Sequence, residues 1–208
     1  MSLPNPHQHK DHLKEPGVSN EKNEHRDKEL SDVELWNAFR EGSETAFATI
    51  YKRNITSLFS YGLKQVRNKD LVRDAIHDLF VELWDARERM GEVHNISHYL
   101  LKSIRRKVIY EAVRQGKKSD LPVTEVLQQS STPSAEHSLM EKQEFDRQRK
   151  IIKRALDQLN PRQREIIFLK YHCRIRYREI AEIMDTDKTA VYNLMAKTMK
   201  KLREHLKF

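Results

Sequence analysis

The stretch NPRQREIIFLKYHCRIRYREIAEIMDTDKTAVYNLMAKTMKKLR, residues 160–203, holds two helix starts and one short break between apolar stripes. Asn160 can accept from the orphan amides of a first turn, Pro161 suits the first helical position, and Gln163 completes a capping-box-like pair. A helix is therefore predicted to begin near Pro161. Further on, Tyr177, Ile180, Ala181 and Met184 recur at three- and four-residue spacing, which gives one helix a single face to bury. Asp185-Thr186-Asp187 interrupts that period. Asp187 or Thr186 can then cap a last helix whose Val191, Leu194, Met195, Thr198 and Leu202 point inward. The pattern is a helix-turn-helix.

The outward face of that last helix gathers Lys188, Thr189, Tyr192, Asn193, Ala196, Lys197 and Lys200. Laid in a major groove, such a face could reach base edges, with Asn suited to adenine and the Ala or Thr methyl suited to thymine. From Asp187 to Phe208, six Lys or Arg face two carboxylates, a surplus that phosphate contact requires. For a lone basic helix, a solvated flank of a small bundle is the simpler explanation. Two consecutive capped helices with a three-residue turn favour DNA.

Working outward, the 208 residues are 38% hydrophobic and 34% charged, enough for one or two modest cores alongside long solvated stretches. The net charge of +8 favours a polyanionic partner, which by itself fits DNA, RNA or an acidic membrane surface. Five Gly and little Val-Thr alternation argue against sheets, so the chain reads as all-α. Cys173 is the only cysteine, which excludes an intrachain disulfide and suits a reducing, cytoplasmic setting; its default role is that of a small buried hydrophobe. No apolar run reaches the roughly 18 residues of a membrane span, and the N-terminus lacks a signal-peptide core.

Composition divides the chain into four parts. Residues 1–29 carry too few apolar side chains to offset ordering and read as a disordered polar tail. His7, His9 and His12 within it lack the further ligands that complete a metal cage, so no metal and no cofactor is expected. Residues 30–118 form a first helical domain. Ser31 or Asp32 can cap a helix bearing Leu35, Trp36 and Phe39, and Ala46, Ile50, Ile55, Leu58, Phe59 and Leu63 continue the apolar period. Residues 119–138 turn to Ser, Thr, Gln and Pro and read as a flexible linker. Residues 139–208 are the second helical domain, which contains the helix-turn-helix.

Within the first domain, the run Asp74-Ala75-Ile76-His77-Asp78-Leu79-Phe80-Val81-Glu82-Leu83-Trp84 has an unusual face. Val72, Ala75, Leu79 and Leu83 already supply a buried stripe, which leaves Phe80 and Trp84 on a flank and Asp74, Asp78 and Asp85 on the other. Aromatic anchors beside carboxylates suit a basic protein surface, although neighbouring helices could equally pack the two rings. Next comes Asn95-Ile96-Ser97-His98-Tyr99-Leu100-Leu101-Lys102, followed by Arg105, Arg106, Lys107 and Arg114. Cations in this order can hold the phosphates of a separated strand while a loop receives an extruded base. Tyr99 could stack on a base, but packing is its simpler role.

Two helical domains joined by a polar linker, with a helix-turn-helix last, resemble the bacterial sigma factors of the extracytoplasmic-function (ECF) group. The motifs that carry the resemblance are the 74–84 run, the 95–102 run, Leu159-Asn160-Pro161-Arg162-Gln163-Arg164-Glu165 and Tyr177-Arg178-Glu179-Ile180-Ala181-Glu182-Ile183-Met184. The chain departs from the family at Ile104-Arg105-Arg106, where Ala-Arg-Asn is common, at Tyr110, where Asp is frequent, and at His77, usually Gln. Asp185 stands where the turn often has Gly, and Asp tolerates a left-handed backbone better than most residues.

The resemblance implies a division of labour. Asp74, Asp78, Phe80 and Trp84 would dock on the clamp of core RNA polymerase. Asn95, His98, Tyr99, Lys102, Arg105 and Arg106 would engage and open the downstream promoter hexamer, and the outer face from Lys188 to Lys200 would read the upstream one. An anti-sigma protein joins polymerase and promoter DNA as an implied partner. Neither a phosphate-cradling Gly loop nor a nucleophile-base constellation appears, and the carboxylates have ordinary solvated explanations, so no enzyme activity is expected. A conventional dimeric helix-turn-helix regulator is the alternative reading, and an RNA-binding or scaffolding helical protein a third.

Overall fold

The computed structural model describes residues 30–115 and 139–206, with the side chains of residues 139–144 left out. Among the described residues every regular element is helical: α1 (Asp32–Arg40), α2 (Glu44–Gln65), α3 (Lys69–Ala86), α4 (Ile96–Arg114), α5 (Leu139–Asp157), α6 (Pro161–Ile167), α7 (Tyr177–Ile183) and α8 (Lys188–His205). A 3-10 turn (Arg87–Arg89) follows α3, and a π-helical turn (Phe168–His172) follows α6. The tail expected over 1–29, with His7, His9 and His12, and the linker expected over 119–138 lie outside the described residues.

Local chemistry sets most boundaries. Ser31 caps α1 and closes a reciprocal capping box with Glu34. Asp32, the other candidate cap, serves a different helix: its Oδ2 accepts from the Ile96 amide at 2.8 Å, tying the start of α1 to the start of α4. Gly42 supplies the left-handed residue (φ 89°) that turns α1 into α2, where Ser43 caps. Asn68 caps α3 and Asn95 caps α4 in the same way. At the crossing of α2 on α3, a Cβ on Gly62 would lie 2.7 Å from Val72 Cγ1, so only glycine lets the two helices approach this closely.

α1 to α4 enclose a core of Trp36, Phe39, Ile50, Leu58, Tyr61, Leu100, Ile104 and Val108, all with essentially no exposure. Trp36 also donates its indole N–H to the Gly91 carbonyl at 2.9 Å, which pins the 90–95 loop ahead of α4. The helix-turn-helix packs around Ile166, Leu169, Ile180, Ile183, Val191 and Met195. α5 joins it through a small separate cluster of Ala155, Leu159 and Leu202.

The two helical units do not stand apart. Their buried side chains form one continuous cluster, with Phe168 and Leu169 of the π turn meeting Tyr61 and its neighbours. The Tyr61 and Phe168 rings stack at 6.1 Å with planes 5° apart, and the Lys64 ammonium sits 4.7 Å above the Phe168 ring. The polar composition of 119–138 predicts a linker between two helical domains and does not say how their surfaces meet. The π turn places Phe168 on the side facing α2, which periodicity alone does not reveal.

Candidate nucleic-acid interface

The helix-turn-helix forms as its caps dictate. Asn160 accepts from the Gln163 amide at 2.9 Å and Gln163 returns a bond to the Asn160 amide, while Asp187 accepts from the Ala190 amide at 2.8 Å. The turn between α7 and α8 passes through Asp185 in the left-handed region (φ 51°), as its tolerance of that backbone allows. Arg174, also left-handed (φ 55°), was not anticipated; it returns the chain from the π turn so that Ile175 can bury.

All of the outward set on α8, namely Lys188, Thr189, Tyr192, Asn193, Ala196, Lys197 and Lys200, is exposed on one face. Val191, Met195, Thr198 and Leu202 are buried beneath it, and Thr198 satisfies its hydroxyl on the Leu194 carbonyl at 2.6 Å. The sequence reading missed the support behind Tyr192. Its ring, 46% exposed, packs 4.7 Å from Tyr177. Lys170 lies 4.6 Å over Tyr177 and Lys188 lies 5.7 Å over Tyr192, so two cations and two rings form a preorganised edge to the reading face.

The downstream set divides between two faces of α4. Tyr99 and Arg106 line an open cleft of ≈ 770 Å³ against α3, together with Lys107 and Tyr110. Lys107 pairs with Glu82 at 2.6 Å, and Tyr99 also meets Trp36 edge-on at 5.4 Å, so it packs while lining the cleft. Tyr110, 65% exposed and one turn after Arg106, is the most exposed ring lining this cleft. Its position four residues after an arginine on an amphipathic helix was a readable signal; in the sequence it registered only as a departure from the family.

Asn95, His98 and Lys102 lie on the other face, toward the helix-turn-helix unit, and Arg105 stands between the two, lining the cleft while it also reaches that unit. Asn95 caps α4 through its oxygen and donates its amide to Glu179 Oε1 at 3.1 Å. His98 Nε2 and Lys102 Nζ each lie 3.5 Å from Glu182 Oε2. The His98 contact is close enough for an ion pair but has no hydrogen-bond geometry, and burial lowers the imidazole pKa despite the raising influence of Glu182. We therefore treat His98 as neutral at pH 7. Arg105 Nε reaches Glu165 Oε1 at 3.4 Å.

Glu165 overturns the expectation that the carboxylates are simply solvated. It is 8% exposed, and its Oε1 also accepts from the Tyr61 hydroxyl at 2.7 Å and from Gln65 Nε2 at 3.0 Å. Burial first, and the neighbouring carboxylate second, push the Tyr61 phenol well above its usual range, so it stays a donor. Removing one partner of such a buried charge costs about 3–5 kcal/mol, whereas the half-exposed Lys102–Glu182 pair contributes at most about 1 kcal/mol.

On the α3 flank, packing by a neighbouring helix accounts for the two rings. Asp74 and Asp78 are exposed, but Phe80 is only 4% exposed, packed edge-on between Phe47 at 5.8 Å and Tyr51 at 4.9 Å. Trp84 is half-buried against Phe47 and beneath the Arg87 guanidinium at 4.6 Å. The neighbouring α2 supplies the packing, which a single-helix projection leaves out. What remains accessible is a groove between α2 and α3 lined by Phe47, Tyr51, Ile55, Phe59, Phe80 and Trp84, with Arg73, His77 and Asp85 at its edge.

Comparison with known proteins fits this geometry. Residues 149–202 match the family described as sigma-70, region 4. Over most of its length the chain is similar in structure to CnrH, solved in complex with the cytosolic domain of CnrY: TM-score 0.50, 18% identity, 83% of this chain and 94% of that one covered. It is likewise similar to the sigma factor RpoE from Bartonella quintana, solved with the anti-sigma factor NepR: TM-score 0.51, 17% identity, 79% of this chain and 96% of that one covered. No curated protein gives a significant match. Residues 149–202 thus match the sigma-70 region 4 family, and the described helices share the fold of these two solved chains. Among the described residues, no helix is long and apolar enough to cross a membrane, and no group of three or more His, Cys, Asp or Glu is placed to hold a metal.

Proposed function

We propose that the protein is a sigma factor of the ECF group, which binds core RNA polymerase, recognises both promoter hexamers and helps separate the strands. The observation that carries this reading is the exposed face of α8, presented by a doubly capped helix-turn-helix within the region 4 match. Asn193 is suited to adenine and Tyr192 to a thymine methyl, while Lys188, Lys197 and Lys200 supply phosphate contacts. On α4, Lys102, Arg105 and Arg106 would neutralise the separated strand while Tyr99 and Tyr110 flank its bases. Asp74 and Asp78 on the opposite flank of α3, with Asp85 at the edge of the α2–α3 groove, would offer polymerase acidic contacts near an apolar seat, in which Phe80 and Trp84 act as walls rather than as projecting anchors.

The fold needs no bond chemistry for this task, since binding energy spent on docking and strand separation is sufficient. The full sigma-factor complement of partners follows by analogy, including an anti-sigma protein like the NepR bound to RpoE. A dimeric repressor or activator remains the competing class. Transcription in vitro with core polymerase and a genomic template separates them: the sigma-factor reading expects discrete transcripts that disappear with Asp78→Lys. Failure to initiate, together with no retention of the protein on core polymerase, would sink it in favour of the regulator.

A further inference from the structure

We propose that Tyr177 of α7 is a positioning residue for base reading: its ring holds Tyr192 on the outward face of α8, where Tyr192 meets the 5-methyl group of one thymine in the duplex. The inference rests on the reading of α8 as the duplex-reading helix and places part of its specificity outside that helix. Tyr192 stands among the exposed Thr189, Asn193 and Ala196, and its ring centroid lies 4.7 Å from that of Tyr177 with the planes 41° apart. Tyr177 is itself held. It is the first residue of α7, partly buried against the core, and the Lys170 ammonium lies 4.6 Å over its ring. Lys170 in turn donates to the Ile175 carbonyl at 3.4 Å, and Ile175 is fully buried. A line of contacts thus runs from a core residue to an exposed ring on the reading face.

The pair is poorly explained as core packing. Ile180, Val191 and Met195 fill the interior of the unit, while Tyr192 stays nearly half exposed. A lone exposed tyrosine on a helix samples more than one rotamer and loses that freedom when a ligand fixes it. Contact with Tyr177 removes part of that cost beforehand, because ring pairs at this separation attract each other beyond the area they bury. Chemistry then selects the ligand. The 5-methyl of thymine is the one methyl group that a base edge presents in the major groove, and an aromatic ring fits it without needing a donor or acceptor. Lys170 over Tyr177 and Lys188 over Tyr192 set two cations beside the rings, which suits the phosphates that flank a base. Burying one methyl group in this way raises affinity about 4-fold.

The test starts from duplexes selected out of a randomised pool by the full chain, alone and bound to core polymerase. Each thymine of the selected sequence is then replaced in turn by deoxyuridine, which lacks only the 5-methyl group, and binding is read by fluorescence anisotropy. One position should emerge at which the wild type loses about 4-fold in affinity on that replacement. There Tyr192→Ala and Tyr177→Ala should abolish the preference for thymine over deoxyuridine, and Tyr177→Phe, which keeps the ring, should restore it. A purely structural role for Tyr177 would instead weaken binding to every duplex and leave the preference intact. If Tyr177→Ala disturbs folding by circular dichroism, Lys170→Met loosens the ring without removing it and should reduce the preference to an intermediate value. A sequence choice with no methyl-sensitive position, or an undiminished preference in the folded variants, overturns the role of Tyr177 and leaves the reading of α8 in place. A pool that yields no preferred sequence removes that reading and the tyrosine pair with it.

Discussion

The faces of α8 and α4 are both basic, helical and about the same length, yet one is bare and the other is occupied. On α8, Lys188 to Lys200 project from a helix whose opposite side is sealed by Val191, Met195 and Leu202. On α4, the cap and the Lys102 side meet carboxylates from α6 and α7, while Arg105, Arg106 and Tyr110 line an open cleft. The difference teaches that a positive helix face is an invitation to any polyanion, including one carried by the same chain. The outward face of α8 is thus exposed in the free chain, whereas the Asn95, His98 and Lys102 side of α4 meets the helix-turn-helix unit.

The largest expected effect tests whether the downstream side depends on its own core. Trp36→Ala empties a fully buried site and frees the Gly91 carbonyl, at a cost of about 3–5 kcal/mol in chemical denaturation. It should impair strand separation far more than duplex affinity, because the indole anchors the loop before α4; equal losses in both would erase the distinction. A smaller effect probes the bare face. Asn193→Ala should cost about 1–3 kcal/mol at one base-pair position in duplex binding, while Lys197→Ala weakens all sequences alike and lowers the salt slope by about one. Identical profiles for the two variants would remove base reading from α8.

Smaller still is the turn that sets the angle between α7 and α8. Asp185→Gly relieves a left-handed non-glycine backbone and should raise stability by at most about 1 kcal/mol without changing duplex specificity. The least effect belongs to His98. Burial lowers its folded pKa below the ordinary 6.5, so the unfolded chain takes up the proton first, and stability contributed above that value is lost as pH falls through the lowered one. Thermal unfolding should therefore decline more steeply below about pH 6.5 in wild type than in His98→Gln. Parallel curves would mean that the Glu182 carboxylate offsets the burial and that the seam is indifferent to His98 protonation.

Much of this molecule is legible residue by residue. Asn160, Gln163, Asp187 and Ser31 mark helix starts because a capping bond is made within three residues and needs no knowledge of the rest of the fold. The outward set on α8 followed from period alone, since one helix with one buried stripe has only one side left. Phe80 shows where that logic stops: on a projection of α3 it lies at the edge of the stripe, and α2 then covers it with Phe47 and Tyr51. Glu165 shows the same limit for charge. In sequence it is one more carboxylate in a capped helix; in three dimensions it is the meeting point of Tyr61, Gln65 and Arg105, 104, 100 and 60 residues away.

The sequence by itself determined the caps at Ser31, Asn160 and Asp187, the tolerance of Asp185 for a left-handed turn and the outward face of α8, because each rests on interactions spanning at most a few residues. The tertiary structure alone decided that Phe168 docks on Tyr61, that the α3 aromatics become the walls of a groove, and that Lys102 and Arg105 of α4 meet carboxylates of α6 and α7. Those outcomes depend on which faces meet after the helices have formed, and burial between distant segments leaves no periodic mark in either one.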